Sequence, residues 1–154
     1  MRSLIVLVIS LLPALAWAQT NGCFRQGELK AEANVRLGLL LRERAAVCAA
    51  RSGDPAFNDL PQMWSKFEQA NAPQLKDAVE TRSRAIDRVF KNADNSVDAQ
   101  TGRLIARFRQ EPAYSANCRD IQKLLTDMDK GGWGAFQRRA KLFDSEVKLD
   151  SPPC

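Results

Sequence analysis

The chain of 154 residues contains no histidine. Histidine is the commonest general base near neutral pH and the commonest metal ligand, so Ser-His-Asp and Cys-His catalysis are excluded. Haem held through C-x-x-C-H or an axial histidine is excluded with them. The four cysteines, Cys23, Cys48, Cys118 and Cys154, are far apart. Without a C-x-x-C pair there is neither a zinc knuckle nor a thioredoxin-like redox motif. No G-x-x-x-x-G-K-[ST] sequence occurs, so no phosphate-binding loop of that kind is present. Period-2 alternation of useful length and internal repeats are also missing, which argues against sheets and solenoids.

The N-terminus is more informative. Met1-Arg2 supplies one positive charge, Leu4–Leu12 is a short apolar run, and Ala16-Trp17-Ala18 is a small-x-small site. This pattern predicts a secretory signal peptide over residues 1–18, cleaved before Gln19. The run is shorter than the ~20 apolar residues of a membrane span. Polar Thr20-Asn21-Gly22 precede Cys23, which fits a lipoprotein site badly. The expected product is a periplasmic or secreted protein, residues 19–154 forming one domain, with no lipid on Cys23. Disulfides persist in such a compartment, and four cysteines read as two bridges.

The formal charge is +5. This modest surplus is dispersed among Arg-rich segments, as on solvated helix faces. Nucleic acid is not an expected partner, and attraction to an anionic membrane surface is at most weak.

The rest of the chain reads as helices. Leu29, Ala33, Leu37, Leu40, Leu41, Ala45 and Cys48 recur at three- and four-residue steps, predicting a helix from Gln26 to Arg51. Arg36, Arg42, Glu43 and Arg44 point in other directions. Ser52-Gly53-Asp54-Pro55 stops this helix. Leu60, Met63, Trp64 and Phe67 mark a second, broken or kinked at Asn71-Ala72-Pro73. The period resumes at Leu75, Val79, Ile86, Val89 and Phe90. Asp94-Asn95-Ser96 offers caps for a helix carrying Val97, Leu104, Ile105 and Phe108. Glu111-Pro112 closes that helix, and a loop runs to Asn117. Ile121, Leu124, Leu125 and Met128 follow, then an interruption at Gly131-Gly132, then Trp133, Phe136, Ala140, Phe143 and Val147. Ser151–Cys154 is an extended tail. The expected fold is all-α: an antiparallel up-and-down helical bundle of about four main helices, some kinked, stapled by two disulfides. The plan is similar to exported four-helix bundles such as the c′-type cytochromes. The likeness stops at architecture, because the haem motif is missing.

Topology selects the disulfides. Twenty-five residues of helix at about 1.5 Å each would hold Cys23 and Cys48 roughly 37 Å apart, far beyond bridging distance. If the chain kinks rather than reverses at Asn71–Pro73 and Gly131-Gly132, Cys118 arrives beside Cys48 and Cys154 beside Cys23. The expected bridges are therefore Cys23–Cys154 and Cys48–Cys118.

No constellation singles out a reaction. Lys130-Gly131-Gly132-Trp133-Gly134, followed by Arg138-Arg139, is a candidate anion-binding turn, though a helix break explains it as well. Arg82 falls between Val79 and Ile86 on an apolar stripe, making it the candidate polar contact for a ligand inside the bundle. Its neighbourhood with Asp87, and that of Asp87 with Lys91, otherwise reads as helix-surface pairing. Glu43, Glu68, Glu80 and Asp120 could supply a carboxylate pair for glycan hydrolysis, and Trp64 and Trp133 a sugar platform. Both tryptophans sit in apolar stripes, so core packing explains them better. The site candidates are thus Arg82, Gly132, Arg138 and Arg139, with no metal or cofactor expected. The expected function is non-enzymatic binding of a protein or cell-envelope component. The alternatives are a small-ligand-binding bundle and, less favoured, a cell-wall or glycan hydrolase.

Overall fold

The computed structural model describes residues 22–154; the leader and its cleavage site lie outside the described residues. The described chain is all-α, with two disulfides, as the periodicity and cysteine count predict. Helix α1 spans Gln26–Arg51, α2 Leu60–Ala70, α3 Ala72–Val89, α4 Val97–Gln110, α5 Ser115–Ala140 and α6 Asp144–Asp150. Short 3-10 turns at Pro55–Phe57, Ala93–Asn95 and Lys141–Phe143 join some of them.

The boundaries have local causes. Gly53 adopts φ +71° just past α1, the left-handed position that glycine tolerates. Asn71 separates α2 from α3, and its Nδ2 donates to the Phe67 carbonyl at 2.9 Å. Pro73 occupies the first turn of α3, where its missing N–H costs nothing. Ser96 caps α4 by accepting from the Ala99 N–H at 3.3 Å. Tyr114 precedes α5, which begins three residues before the predicted Cys118.

Both doubtful breaks bend the chain without reversing it. A Cβ on Gly38 would lie near Leu75, Glu32 meets Arg82, and Glu28 meets Arg88, so α3 descends along α1. Gly132, at φ +55° and ψ −149°, bends α5. Beyond the bend Phe136 still reaches α1 at Gly38, and Gln137 shares a cavity wall with Gly27 and Lys30. The disulfides then fall as topology requires: Cys23–Cys154 with Cα–Cα 4.9 Å, and Cys48–Cys118 with 5.6 Å. The final segment is less regular than one descending helix. It divides at Lys141–Phe143 into α5 and α6. The tail pairs with the chain before α1: the Phe24 N–H donates to the Pro152 carbonyl at 2.8 Å and the Cys154 N–H to the Phe24 carbonyl at 2.9 Å.

The largest departure from expectation concerns α1. It packs against all five other helices and is the hub of the bundle rather than one corner of it. Its charged residues therefore do not form a solvated face: Glu32, Arg36, Glu43 and Arg44 are all buried, and only Arg42 of the expected set is exposed. Each buried charge has a partner, as burial demands. Arg44 donates to the carbonyls of Phe108, Glu111 and Pro112, satisfying groups that the end of α4 leaves open. The aromatic core sits beside Gly38, where Phe67 stacks on Phe136 at 5.3 Å and Trp133 on Phe136 at 4.9 Å.

Candidate functional site

Helix α1 is covered along most of its length, and near its N-terminus Gly27, Lys30 and Asn34 recur at helical spacing and line two cavities. One cavity, of about 550 Å³, lies between α1, the end of α5 and α6. Its apolar floor comes from Leu29, Ala33, Ala140 and Val147, and Lys30, Lys141, Lys148 and Asp144 supply its charges. The other, of about 500 Å³, lies between α1, α3 and α5 and is lined by Ala31, Asp77, Thr81 and Trp133 among others. Gln137, like Gly27, Lys30 and Asn34, belongs to both walls. The two cavities form a groove straddling one face of α1.

Asn34 is the chemically distinctive residue of this groove. Its side chain is buried, yet Oδ1 has no hydrogen-bond partner. A buried acceptor left unpaired costs ~1–3 kcal/mol. The residue lines both cavities, and the terminal torsion of asparagine is broad. Asn34 is in helical phase with Leu37 and Leu41. That signal, a polar residue on an apolar stripe, is present in the sequence of α1 as it is at Arg82 in α3.

Arg82 occupies the buried position its stripe implies, but not on a surface and not against Asp87. Its Nε donates to Glu32, its Nη1 donates to Thr101 Oγ1 at 2.9 Å, and Nη2 is buried without a partner. Val79, expected on the same buried stripe, is half-exposed, and Ala78 and Ala85 take the buried phase instead. Lys91 meets the backbone carbonyl of Asp87 rather than its carboxylate. Glu32 also accepts from Arg36 Nε at 2.7 Å, and Arg36 Nη1 reaches Glu146 at 2.5 Å and Asp150 at 2.8 Å. Arg82 thus belongs to a charge network joining α1, α3, α4 and α6, buried at Glu32, Arg36 and Arg82 and open to solvent at Glu146 and Asp150. Burial pushes the Arg36 pKa down, but Glu32 and Asp150 outweigh it and the net direction is up.

Arg138 and Arg139 share a cavity of about 500 Å³ with Asp127, Lys130, Gly131 and Ala135. Arg139 is already paired with Asp127 at 2.6 Å, while the exposed Arg138 guanidinium lies beside Gly131 and Gly134. Gly132 makes the bend and does not line that cavity. The four site candidates therefore fall in two places, Arg82 in the interior and the other three at the α5 bend.

The expected carboxylate candidates do not look like a hydrolytic pair. Glu43 is desolvated by burial, which raises its pKa, but hydrogen bonds from Arg109 at 2.6 Å and Arg42 at 2.8 Å prevail and lower it. A general acid needs the opposite shift. Glu80 is exposed between Lys76 and Arg84, and Glu68 and Asp120 are exposed. Among the described residues no group of three or more acidic or cysteine side chains could hold a metal. Trp64 is buried in the core, whereas Trp133 is partly exposed in the groove wall.

No protein family, curated protein or solved structure matches the chain.

Proposed function

We propose that this is an exported, non-catalytic binding protein whose α1 groove receives an anionic segment of a cell-envelope protein. The observation that carries the reading is Asn34, buried with an unpartnered Oδ1 in the wall common to two cavities. A peptide N–H is the donor it lacks. The larger cavity has Lys30, Lys141 and Lys148 against Asp144 alone, which favours acidic side chains beside the apolar floor. Export is supported by the Met1–Ala18 leader pattern and by two disulfides. No helix among the described residues is long and apolar enough to cross a membrane.

The test places a photo-crosslinking residue at position 141 in cells that export the protein. Adducts should be proteins captured through an acidic segment, and the Lys30→Glu/Lys148→Glu variant should lower their yield at least tenfold. Undiminished yield in that variant overturns the groove as the site. Intact mass should begin at Gln19; a diacylglycerol-sized increment with Cys23 first would overturn the export route.

A further inference from the structure

A further cavity, on another flank of α1, has a different chemistry. It measures about 290 Å³, and three arginines line it: Arg36 from α1 and Arg103 and Arg107 from α4. Arg36 is 3% exposed, so its position is set by the interior. It uses Nε and Nη1 on Glu32, Glu146 and Asp150, and its Nη2 makes no hydrogen bond to the described residues. Arg103 is held over the α4 N-terminus by the Asp94 carbonyl at 2.7 Å and meets no carboxylate among the described residues. Arg107 gives Nη1 to Glu146 at 2.9 Å and lies over the Phe108 ring. Phe90 and Leu104 supply an apolar wall.

The charge balance selects the ligand. With the buried partners included, Arg36, Arg82, Arg103 and Arg107 stand against three carboxylates, Glu32, Glu146 and Asp150, so one positive charge remains. A dianion would be poorly compensated there and would sit against Asp150. Asp150 uses Oδ2 on Arg36, and its Oδ1 makes no hydrogen bond to the described residues. The geometry points to a binding site for a free α-amino acid with an apolar side chain. Its carboxylate lies on Arg103 and Arg107, its ammonium on Asp150, and its side chain on Phe90 and Leu104. Each half of the zwitterion then meets the opposite charge, and arginine forks suit a planar carboxylate. This site is separate from the Asn34 groove and does not depend on it.

The disulfide-intact protein is titrated with L-leucine, leucinamide, 4-methylpentanoate and inorganic phosphate, and the backbone amide of Leu104 and the arginine Nε–H signals are followed by NMR. L-Leucine should saturate in the range of a weak, small-ligand site. Leucinamide, lacking the carboxylate, and 4-methylpentanoate, lacking the ammonium, should each bind at least tenfold more weakly, about 1.4 kcal/mol. Arg103→Gln should cost leucine a similar factor. Asp150→Asn should reverse the preference, so that 4-methylpentanoate binds at least as well as leucine, which keeps the test decisive even if the arginine variant unfolds. Absence of saturable shifts with leucine overturns the proposal. So does phosphate or 4-methylpentanoate matching leucine on the unmodified protein, which would mean a plain anion site.

Discussion

Glu32 is the point at which this fold is most exposed to a single change. It is fully buried, accepts from Arg36 at 2.7 Å, and accepts from Arg82 as well. At an effective dielectric of about 20, charges about 4 Å apart attract by roughly 4 kcal/mol, and desolvation offsets much of this. Net stabilisation by the cluster is therefore modest, but breaking it is costly. Glu32→Gln leaves the buried Arg82 guanidinium without a counter-charge. Arg36 keeps Glu146 and Asp150, whereas Arg82 keeps only Thr101 and already has an orphan Nη2. The expected loss is about 3–5 kcal/mol. Arg82→Met should cost somewhat less, because Glu32 retains Arg36. In the double variant the two losses should not add. Once Arg82 is gone, much of the need for a charge at position 32 is gone too, and a coupling of at least ~1.5 kcal/mol is expected. Urea unfolding of the disulfide-intact variants, with midpoints converted through a common m-value, measures all three. Additivity within about 0.5 kcal/mol, or a Glu32→Gln loss below about 1 kcal/mol, would refute the reasoning.

Asn34→Leu should leave stability unchanged or raise it by about 1 kcal/mol, since it removes a buried acceptor with no partner, while abolishing crosslinking at position 141. Gly132→Ala should destabilise by about 1–3 kcal/mol in thermal unfolding, because φ +55° with ψ −149° suits glycine alone. Glu43, whose folded pKa is lowered from 4.5, adds stability that is fully present above pH 4.5 and is lost as the pH falls through the lowered value. Glu43→Gln should therefore flatten the acid limb of stability against pH and leave a smaller gap to the parent in acid than at pH 7.

Much of the architecture was legible because it rests on short-range signals. The ends of α1, the stop at Glu111-Pro112 and the Gly132 bend follow from caps, prolines and glycines, which act within a turn of their own position. Disulfide pairing followed from helix length and direction. The burial of Glu32, Arg36, Glu43 and Arg44 did not, because it depends on how many neighbours surround α1. A surface helix and a hub helix can carry the same charges, and only the partners on α3, α4 and α6 distinguish them. Of the candidate site, Arg82 is legible from its place on a stripe, but its counter-charge at Glu32 lies 50 residues away. Asn34 is not legible as a site, because nothing in α1 itself reveals that its neighbours leave a groove there.

The Cys23–Cys154 bridge has a mechanical consequence. It spans 131 residues and encloses the Cys48–Cys118 bridge within its loop. Tension applied to the chain outside this loop passes from one sulfur to the other and never reaches the helices. While the bond is oxidised, the bundle hangs as an unloaded ring; reduction places α1 and the tail in series with the pull.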